Sequence, residues 1–373
     1  MKEIKTVGII GFGVMGAAIG INAAASGFNV IFKELNETLV SSMYDKWVIQ
    51  SLKNRVEKNK LTQQAMDQIT QKIMGTHRYE DLKDCDLIIE AAVENLELKT
   101  TIFETLSKIC ADDAIFVSNT STFPIESVMK KVPHPDRTAG LHYFFPANVN
   151  RLVEVVRQKK TSDDTFDAVR DFAVKNKKIV IPVKDFPGFA INPVFIASYM
   201  VLNSFYGNYN VATLDSISKE ALGLKYGIMW VQNSSGIGTS FHAATSLYNY
   251  LNGTDVGFLK VPEQLKTCFD NGTPWNLNDG QVIEDKTIRQ VVIDRLLGAI
   301  FAIATHLVEK TIVSATDLEK GIRTSLAWPE GPFAIMNKLG MEQTRKLIVL
   351  ACYSGLFKMP EKFATDIPEP WGV

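Results

Sequence analysis

Apolar and polar positions alternate along the first half of the chain in blocks too short for a helical bundle. "TVGIIGFGVMGAAIGINAAASGFNVIFKE" reads as a short apolar strand, a glycine turn, an Ala-rich helix and a second strand ending in an acid. "ETLVSSMYDKWVIQSLKNRVEKNKLTQQAMDQITQKIMG" follows as an amphipathic helical hairpin, too polar to be buried all round. Apolar strands resume at "CDLIIEAAV" and "DAIFVSN", separated by a helix through "LKTTIFETLSKIC". "RTAGLHYFF" and "RLVEVVR" are β-rich runs joined by "PANVN", a hairpin or tight return. Strands alternating with helices predict a parallel, doubly wound α/β sheet of Rossmann type.

From "KDFPGF" at 184–189 the pattern changes to helical throughout. "NPVFIASYMVLNSFYGNYNVATLD", ending at Asp215, resembles "DRLLGAIFAIATHLVEKTIVSATD", ending at Asp317. The second copy carries the tail "LAWPEGPF"; the first runs on through "LKYGIMWVQNSSGIG", and the expectation is that it has lost the tail. Related helical units stack on a shared core face. The expected division is 1–184 for the sheet domain with its hairpin, 185–283 for the first helical unit and 284–373 for the second.

Composition narrows the possibilities without choosing among them. The 373 residues suffice for two or three domains with proper cores. Basic and acidic residues number 40 and 41, so no global field favours nucleic acid or an anionic membrane. The first 26 residues imitate a secretory signal, but glycines spaced through the apolar stretch fit strand, turn and helix better. The other apolar runs, near Val194–Leu202 and Leu296–Thr305, are about half of the roughly twenty residues a membrane span needs. Cys85, Cys110, Cys268 and Cys352 are scattered, which argues for reduced thiols, a cytoplasmic setting and no structural zinc.

The glycine turn is the first candidate for chemistry. Gly11-x-Gly13-x-x-Gly16 follows a strand and opens a helix, and Glu34 stands about twenty residues on. The first glycine permits the tight turn, the second lets amides approach a pyrophosphate, and the third lets helix pack on strand. Gly11, Gly13, Val14, Met15 and Gly16 are therefore expected to hold a dinucleotide at a helix N-terminus. Glu34 can accept hydrogen bonds from the adenosine ribose and repels a 2′-phosphate, which favours NAD over NADP, although Lys33 softens that argument. Ligands of such sheets sit beyond the carboxyl ends of the strands, so Ala92, Glu94, Ser118, Asn119 and Ser121 should surround one crevice.

"GLHYFFP" poses the second question, since His142 is the only side chain in it able to carry charge near neutral pH. A lone histidine on an apolar strand is most often a packed core residue. Glu154 lies on the next run, where cross-strand contact is open to it, although its flanking valines leave its facing undecided. An acid there would hold one imidazole tautomer and stabilise the imidazolium, the arrangement a proton acceptor needs.

These stretches together resemble a family, the L-3-hydroxyacyl-CoA dehydrogenases of fatty acid β-oxidation. "GFGVMGAAI", "EAAVENLELK", "SNTST", "GLHYFFP", "LVEVV" and "KDFPGFAIN" occur in that family's order and spacing, and "WPEGPF" at 328–333 follows its C-terminal pattern. The resemblance implies that His142 is the general base for the substrate 3-hydroxyl and Glu154 its carboxylate partner. It implies that Ser121 and Asn192 position the substrate and polarise its oxygens. Glu94 and Lys99 fall on cofactor contacts on the nicotinamide side, and Ser51 and Lys58 on contacts to coenzyme A. The implied reaction is NAD-dependent oxidation of (S)-3-hydroxyacyl-CoA to 3-ketoacyl-CoA, with an acyl-CoA thioester as partner. Single-copy relatives dimerise through the helical domain, so the duplicated copy implies a monomer with an internal pseudo-dimer, a homodimer remaining the alternative.

The chain also departs from the family. Phe145 stands before Pro146 where the family commonly has asparagine, so a polar contact is absent or comes from elsewhere, such as Asn148. Pro193 replaces an arginine after Asn192 and favours a helix start there. Lys53, Arg55, Lys58 and Lys60 make a basic hairpin face that reads equally as solvated surface or as a seat for coenzyme A phosphates. His77, His134, His242 and His306 show no acidic or cysteine partner at ligand spacing, and no metal is expected. Two further readings stay open: a related dehydrogenase of a non-CoA hydroxy acid, and a non-catalytic NAD-binding protein.

Overall fold

The computed structural model describes residues Glu3–Val373. The chain forms two compact units, Met1–Asp185 and Phe186–Val373. In the first, eight strands make one sheet: β1 (Thr6–Ile10), β2 (Asn29–Lys33), β3 (Ile73–Thr76), β4 (Leu87–Glu90), β5 (Ile115–Ser118), β6 (Thr138–Tyr143), β7 (Leu152–Arg157) and β8 (Ile179–Lys184). Their order is β3-β2-β1-β4-β5-β6-β7-β8, so the chain winds outward from β1 and then returns to its other side at β4. That reversal between β1 and β4 is where a doubly wound sheet opens its ligand crevice. All neighbours are parallel except β6 and β7, which the short "PANVN" return joins antiparallel.

The signal-like N-terminal stretch supplies the centre of this sheet. β1 is buried from Val7 onward, and helix α1 (Val14–Ala25) packs on it with alanines and glycines that let the two backbones approach. The polar hairpin runs through α2 (Glu37–Met43), a π-helical stretch Tyr44–Gln50 and α3 (Ser51–Glu57), then returns as α4 (Gln63–Thr70). α4 packs against α1, burying Met66 and Ile69.

The second unit is all helical. α5 (Leu96–Leu106), α6 (Ile125–Val128) and α7 (Asp163–Lys175) still belong to the sheet unit; the helical unit begins with α8 (Ile191–Phe205) and α9 (Val211–Leu222). α10 (Ile228–Ser235), α11 (Ile237–Leu251) and α12 (Glu263–Asp270) follow, then α13 (Lys286–Glu309), α14 (Ala315–Ser325), α15 (Pro332–Leu339) and α16 (Met341–Tyr353).

The expectation that the first copy has lost its tail is corrected here. α9, α10 and α11 repeat the sequence of elements α14, α15 and α16. In both copies an acid on the earlier helix grips the amides of the next. Asp215 accepts from Trp230 N at 2.9 Å, and Glu319 accepts from Gly331 N and Ala334 N at 2.9 Å. In both, a glycine sits where a Cβ would strike that carboxylate: Gly227 at 2.1 Å and Gly331 at 2.4 Å. A left-handed glycine, Gly236 at φ 95° and Gly340 at φ 82°, then turns the chain into the last helix. The tail diverged in its side chains while the backbone contacts that define it persisted.

α13 also revises the reading of apolar runs. It is 24 residues long and apolar enough to cross a membrane by composition, but 72% of its most apolar window is buried inside the unit. α8, α9, α15 and α16 pack around it. Gly298 lets α16 come close enough that a Cβ there would meet Leu347 O at 2.2 Å. A helix covered on all sides by other helices needs no polar face. His306, buried in α13, is also corrected: Glu309 approaches its Nδ1 at 4.0 Å, and its Nε2 meets Lys358 O at 2.9 Å, a structural tie to the chain that follows α16.

Candidate active site

The glycine turn has the shape its spacing predicts. Gly11 sits at φ +84°, a conformation side chains rarely adopt. A Cβ on Gly16 would lie 1.9 Å from Gly11 O, so only glycine lets α1 start against β1. A Cβ on Gly13 would meet nothing within 4 Å, so the chain itself places no demand for glycine there. The space is open for a ligand that must come close to the backbone. α1 begins at Val14 with no side-chain cap and no acid in its first turn, leaving the dipole and the amides of Val14, Met15 and Gly16 to a phosphate. Glu34 reaches back from β2, and its Oε1 accepts from Phe12 N at 2.6 Å. It therefore shapes the glycine turn from the end of β2. These features fit a dinucleotide.

Across the switch point, β4 and β5 end in a polar knot of which the sequence reading names only part. Lys99, on α5 and buried, places its Nζ 2.6 Å from Glu90 Oε1, 3.2 Å from Glu94 Oε2 and 3.2 Å from Ala92 O. Glu90 is completely buried. It also accepts from Ser118 Oγ at 2.6 Å and Ala92 N at 2.7 Å. Burial pushes the Glu90 carboxyl up against the pull of Lys99, Ser118 and the Ala92 amide. Glu94 is a third exposed and turns its other oxygen to the loop after β5. There it accepts from Thr120 Oγ1 at 2.6 Å, Ser121 N at 3.0 Å and Thr122 Oγ1 at 3.2 Å. Burial raises the Glu94 carboxyl, but Lys99, the Thr120 hydroxyl and the Ser121 amide outweigh it and hold the group below the ordinary carboxylate value. Glu94 thus ties the Ala92–Glu94 loop to the Ser121 loop.

Further on, α6 starts directly after that loop. Asp185 accepts from Ile125 N at 2.7 Å and Glu126 N at 2.8 Å, and burial pushes its carboxyl up to about 6 in spite of those amides.

The antiparallel register of β6 and β7 pairs His142 with Glu154. Nδ1 and Oε2 are 2.6 Å apart, and both side chains are buried. A carboxylate can only accept, so Nδ1–H donates and Nε2 becomes the basic nitrogen. A histidine serving only as core does not need a buried acid beside it. Phe144 abuts the imidazole edge-on with ring centroids 4.5 Å apart. Asn119 Oδ1 accepts from Tyr143 N at 2.9 Å, joining the end of β5 to the end of β6. Phe145 is 55% exposed, and Asn148 is exposed on the return that follows.

Ser51 opens α3 half-buried, and Lys58 follows its last turn, exposed beside Lys60. Asn192 lies in the second unit, in the first turn of α8, with Pro193 immediately after it. The proline is accommodated there because the first-turn amides lack intrahelical acceptors.

A mostly parallel sheet with this turn, this acid and this switch point defines a dinucleotide-binding protein of the doubly wound class. Residues 6–186 match the profile described as 3-hydroxyacyl-CoA dehydrogenase, NAD binding domain. The chain is 34% identical over 221 residues to 3-hydroxybutyryl-CoA dehydrogenase of Bradyrhizobium diazoefficiens, covering 58% of this chain and 74% of that one. It is 34% identical over 245 residues to fatty acid oxidation complex subunit alpha of Idiomarina loihiensis, covering 65% of this chain and 34% of the relative. It thus spans about a third of that relative's length. The solved 3-hydroxybutyryl-CoA dehydrogenase of Escherichia coli superposes with a TM-score of 0.84, covering 100% of this chain and 97% of that one at 19% identity, a likeness of fold. The chain belongs to the 3-hydroxyacyl-CoA dehydrogenase family, and the cofactor of its first domain is NAD.

Proposed function

We propose that this protein catalyses the reversible, NAD-dependent oxidation of (S)-3-hydroxyacyl-CoA to 3-ketoacyl-CoA, in fatty acid or short-chain acyl-CoA metabolism. The buried pair His142 Nδ1–Glu154 Oε2, 2.6 Å apart at the end of β6, carries the proposal. His142 Nε2 takes the proton of the 3-hydroxyl while the C3–H bond breaks, and Glu154 stabilises the imidazolium so formed. NAD supplies the acceptor of the departing hydride. Proton and hydride together account for both hydrogens lost as the alcohol becomes a ketone. Ser121, held through its own amide by Glu94, offers a hydroxyl to the substrate oxygens; Asn192 keeps the polarising role the family likeness implies. Gly11, Gly13, Val14, Met15, Gly16, Glu34, Ala92, Glu94, Lys99 and Asn119 form or support the cofactor site. Ser51 and Lys58, at the two ends of α3, keep the coenzyme A contacts the family likeness implies.

His142→Asn tests the assignment. Reduction of acetoacetyl-CoA by NADH should fall at least about a hundredfold while NADH binding, measured by titration, stays unchanged. Turnover within a few-fold of the parent would refute His142 as the base. Turnover of the parent on a free hydroxy acid but not on any acyl-CoA thioester would refute the substrate class.

A further inference from the structure

The knot at the carboxyl ends of β4 and β5 gathers two carboxylates around one ammonium. Glu90 receives three donors: Lys99 Nζ, Ser118 Oγ and Ala92 N. Ser118 Oγ in turn accepts from Thr120 N at 3.1 Å while it donates to Glu90 Oε2. Glu94 receives Thr120 Oγ1, Thr122 Oγ1, Ser121 N and Lys99 Nζ. Every contact named to either carboxylate is a donor, the pattern of two ionised acids. One ammonium between two carboxylates leaves a net charge of −1.

Its place in the sheet gives that charge a target. Glu34, after β2, marks the adenosine half of a dinucleotide, and the glycine turn after β1 marks the pyrophosphate. A dinucleotide that crosses the switch point therefore lays its other half over the ends of β4 and β5. That half is the nicotinamide, which is a cation when oxidised and neutral when reduced. We infer that the Glu90–Lys99–Glu94 cluster is a fixed counter-charge that binds oxidised NAD in preference to NADH and so biases the hydride equilibrium on the protein. The bias makes the bound ring harder to reduce, which moves the internal equilibrium toward the hydroxy form of the substrate. Glu90 acts through space and through Lys99, which makes it a positioning and charge-setting residue rather than a catalytic one. The inference rests on the cofactor alone, so it stands or falls independently of the acyl-CoA assignment.

Direct titration with NAD and with NADH reads it without turnover. In Glu90→Gln the side-chain shape is kept and one charge is removed. At mildly alkaline pH the ratio of Kd for NAD to Kd for NADH should rise roughly three- to thirtyfold, the range for one unit charge at an effective dielectric near 20. Glu94→Gln should move the ratio the same way, and it supplies the test should the fully buried Glu90→Gln fail to fold. If each variant that folds weakens both cofactor forms equally, or leaves both unchanged, the cluster is only a brace and the inference is overturned.

Discussion

Replacing Glu154 by glutamine separates the charge of the β7 acid from its shape. The glutamine oxygen can still accept from His142 Nδ1–H, so tautomer and ring position are kept while the negative charge is lost. A full positive charge on the imidazole 2.6 Å from the carboxylate would gain roughly 6 kcal/mol at an effective dielectric of about 20. The proton is only partly transferred in the transition state, and the remaining neutral hydrogen bond offsets some of the loss. About half, roughly 3 kcal/mol, is at stake, which corresponds to a fall of about 150-fold in kcat. Loss of NADH absorbance with saturating acetoacetyl-CoA measures kcat, thermal unfolding checks the fold, and NADH titration checks the cofactor site. Glu154→Ala should cost stability as well, about 1–3 kcal/mol, because it strands a buried imidazole N–H. A glutamine variant that keeps kcat within threefold, with fold and NADH affinity intact, would refute the view that this carboxylate stabilises a forming imidazolium.

Three other predictions address the frame around the pair. Gly13→Ala should leave thermal stability unchanged but weaken NADH binding at least tenfold, whereas Gly16→Ala, with its Cβ 1.9 Å from Gly11 O, should lower the unfolding free energy by about 3 kcal/mol or fail to fold; equal effects from the two would contradict the reading of the turn. Asp185 titrates near 6 when folded and near 3.8 when unfolded, so the native state holds the extra proton between those values. Its contribution to stability is complete at the acid end and declines by roughly 3 kcal/mol as pH rises through 6; denaturant titrations should show that the decline vanishes in Asp185→Asn, and an unchanged pH profile would disprove it. Because α8 and α13, the leading helices of the two copies, pack against each other within one chain, solution scattering should give the mass of a single chain; a stable dimer built through these helices would count against that.

How much of this was legible in the sequence depended on whether a residue's partner could be inferred from spacing. The glycine turn and Glu34 belong to one strand–turn–helix–strand unit, so their distances are set locally. His142 and Glu154 flank one short return, and the only uncertainty was facing, which the register resolves. Glu90 escaped because a strand buried on both faces reads as an unbroken apolar run, and an acid at its end passes for the strand's edge. Its partners, Lys99 on the next helix and Ser118 on the next strand, meet only once the sheet is wound. Asp185 escaped for the same reason, since it caps a helix about sixty residues earlier in the chain. The first copy's tail was illegible because hydrogen bonds from an acid to backbone amides leave only the acid and a glycine to be read.

The histidine–glutamate pair is a property of strand register, and the register is pinned at both ends. Sliding β7 by one residue would turn Glu154 to the opposite face and present Val153 or Val155 to the imidazole. At the inner end, Gly140 stands opposite Val156, and a Cβ there would come within 2.8 Å of the valine and 2.9 Å of Ile125. This close seat is shared with α6, whose first amides are fixed by Asp185. At the outer end Asn119 holds Tyr143 N, and Lys178 Nζ donates to Ala147 O and Asn150 O at 2.6 and 2.9 Å, clamping the return. The fixings come from β5, from α6 and from the start of β8, elements distant in sequence. A substitution at Gly140 or Lys178, neither touching the imidazole, should therefore lower kcat by displacing Glu154, and Lys178→Met should do so with NADH affinity kept.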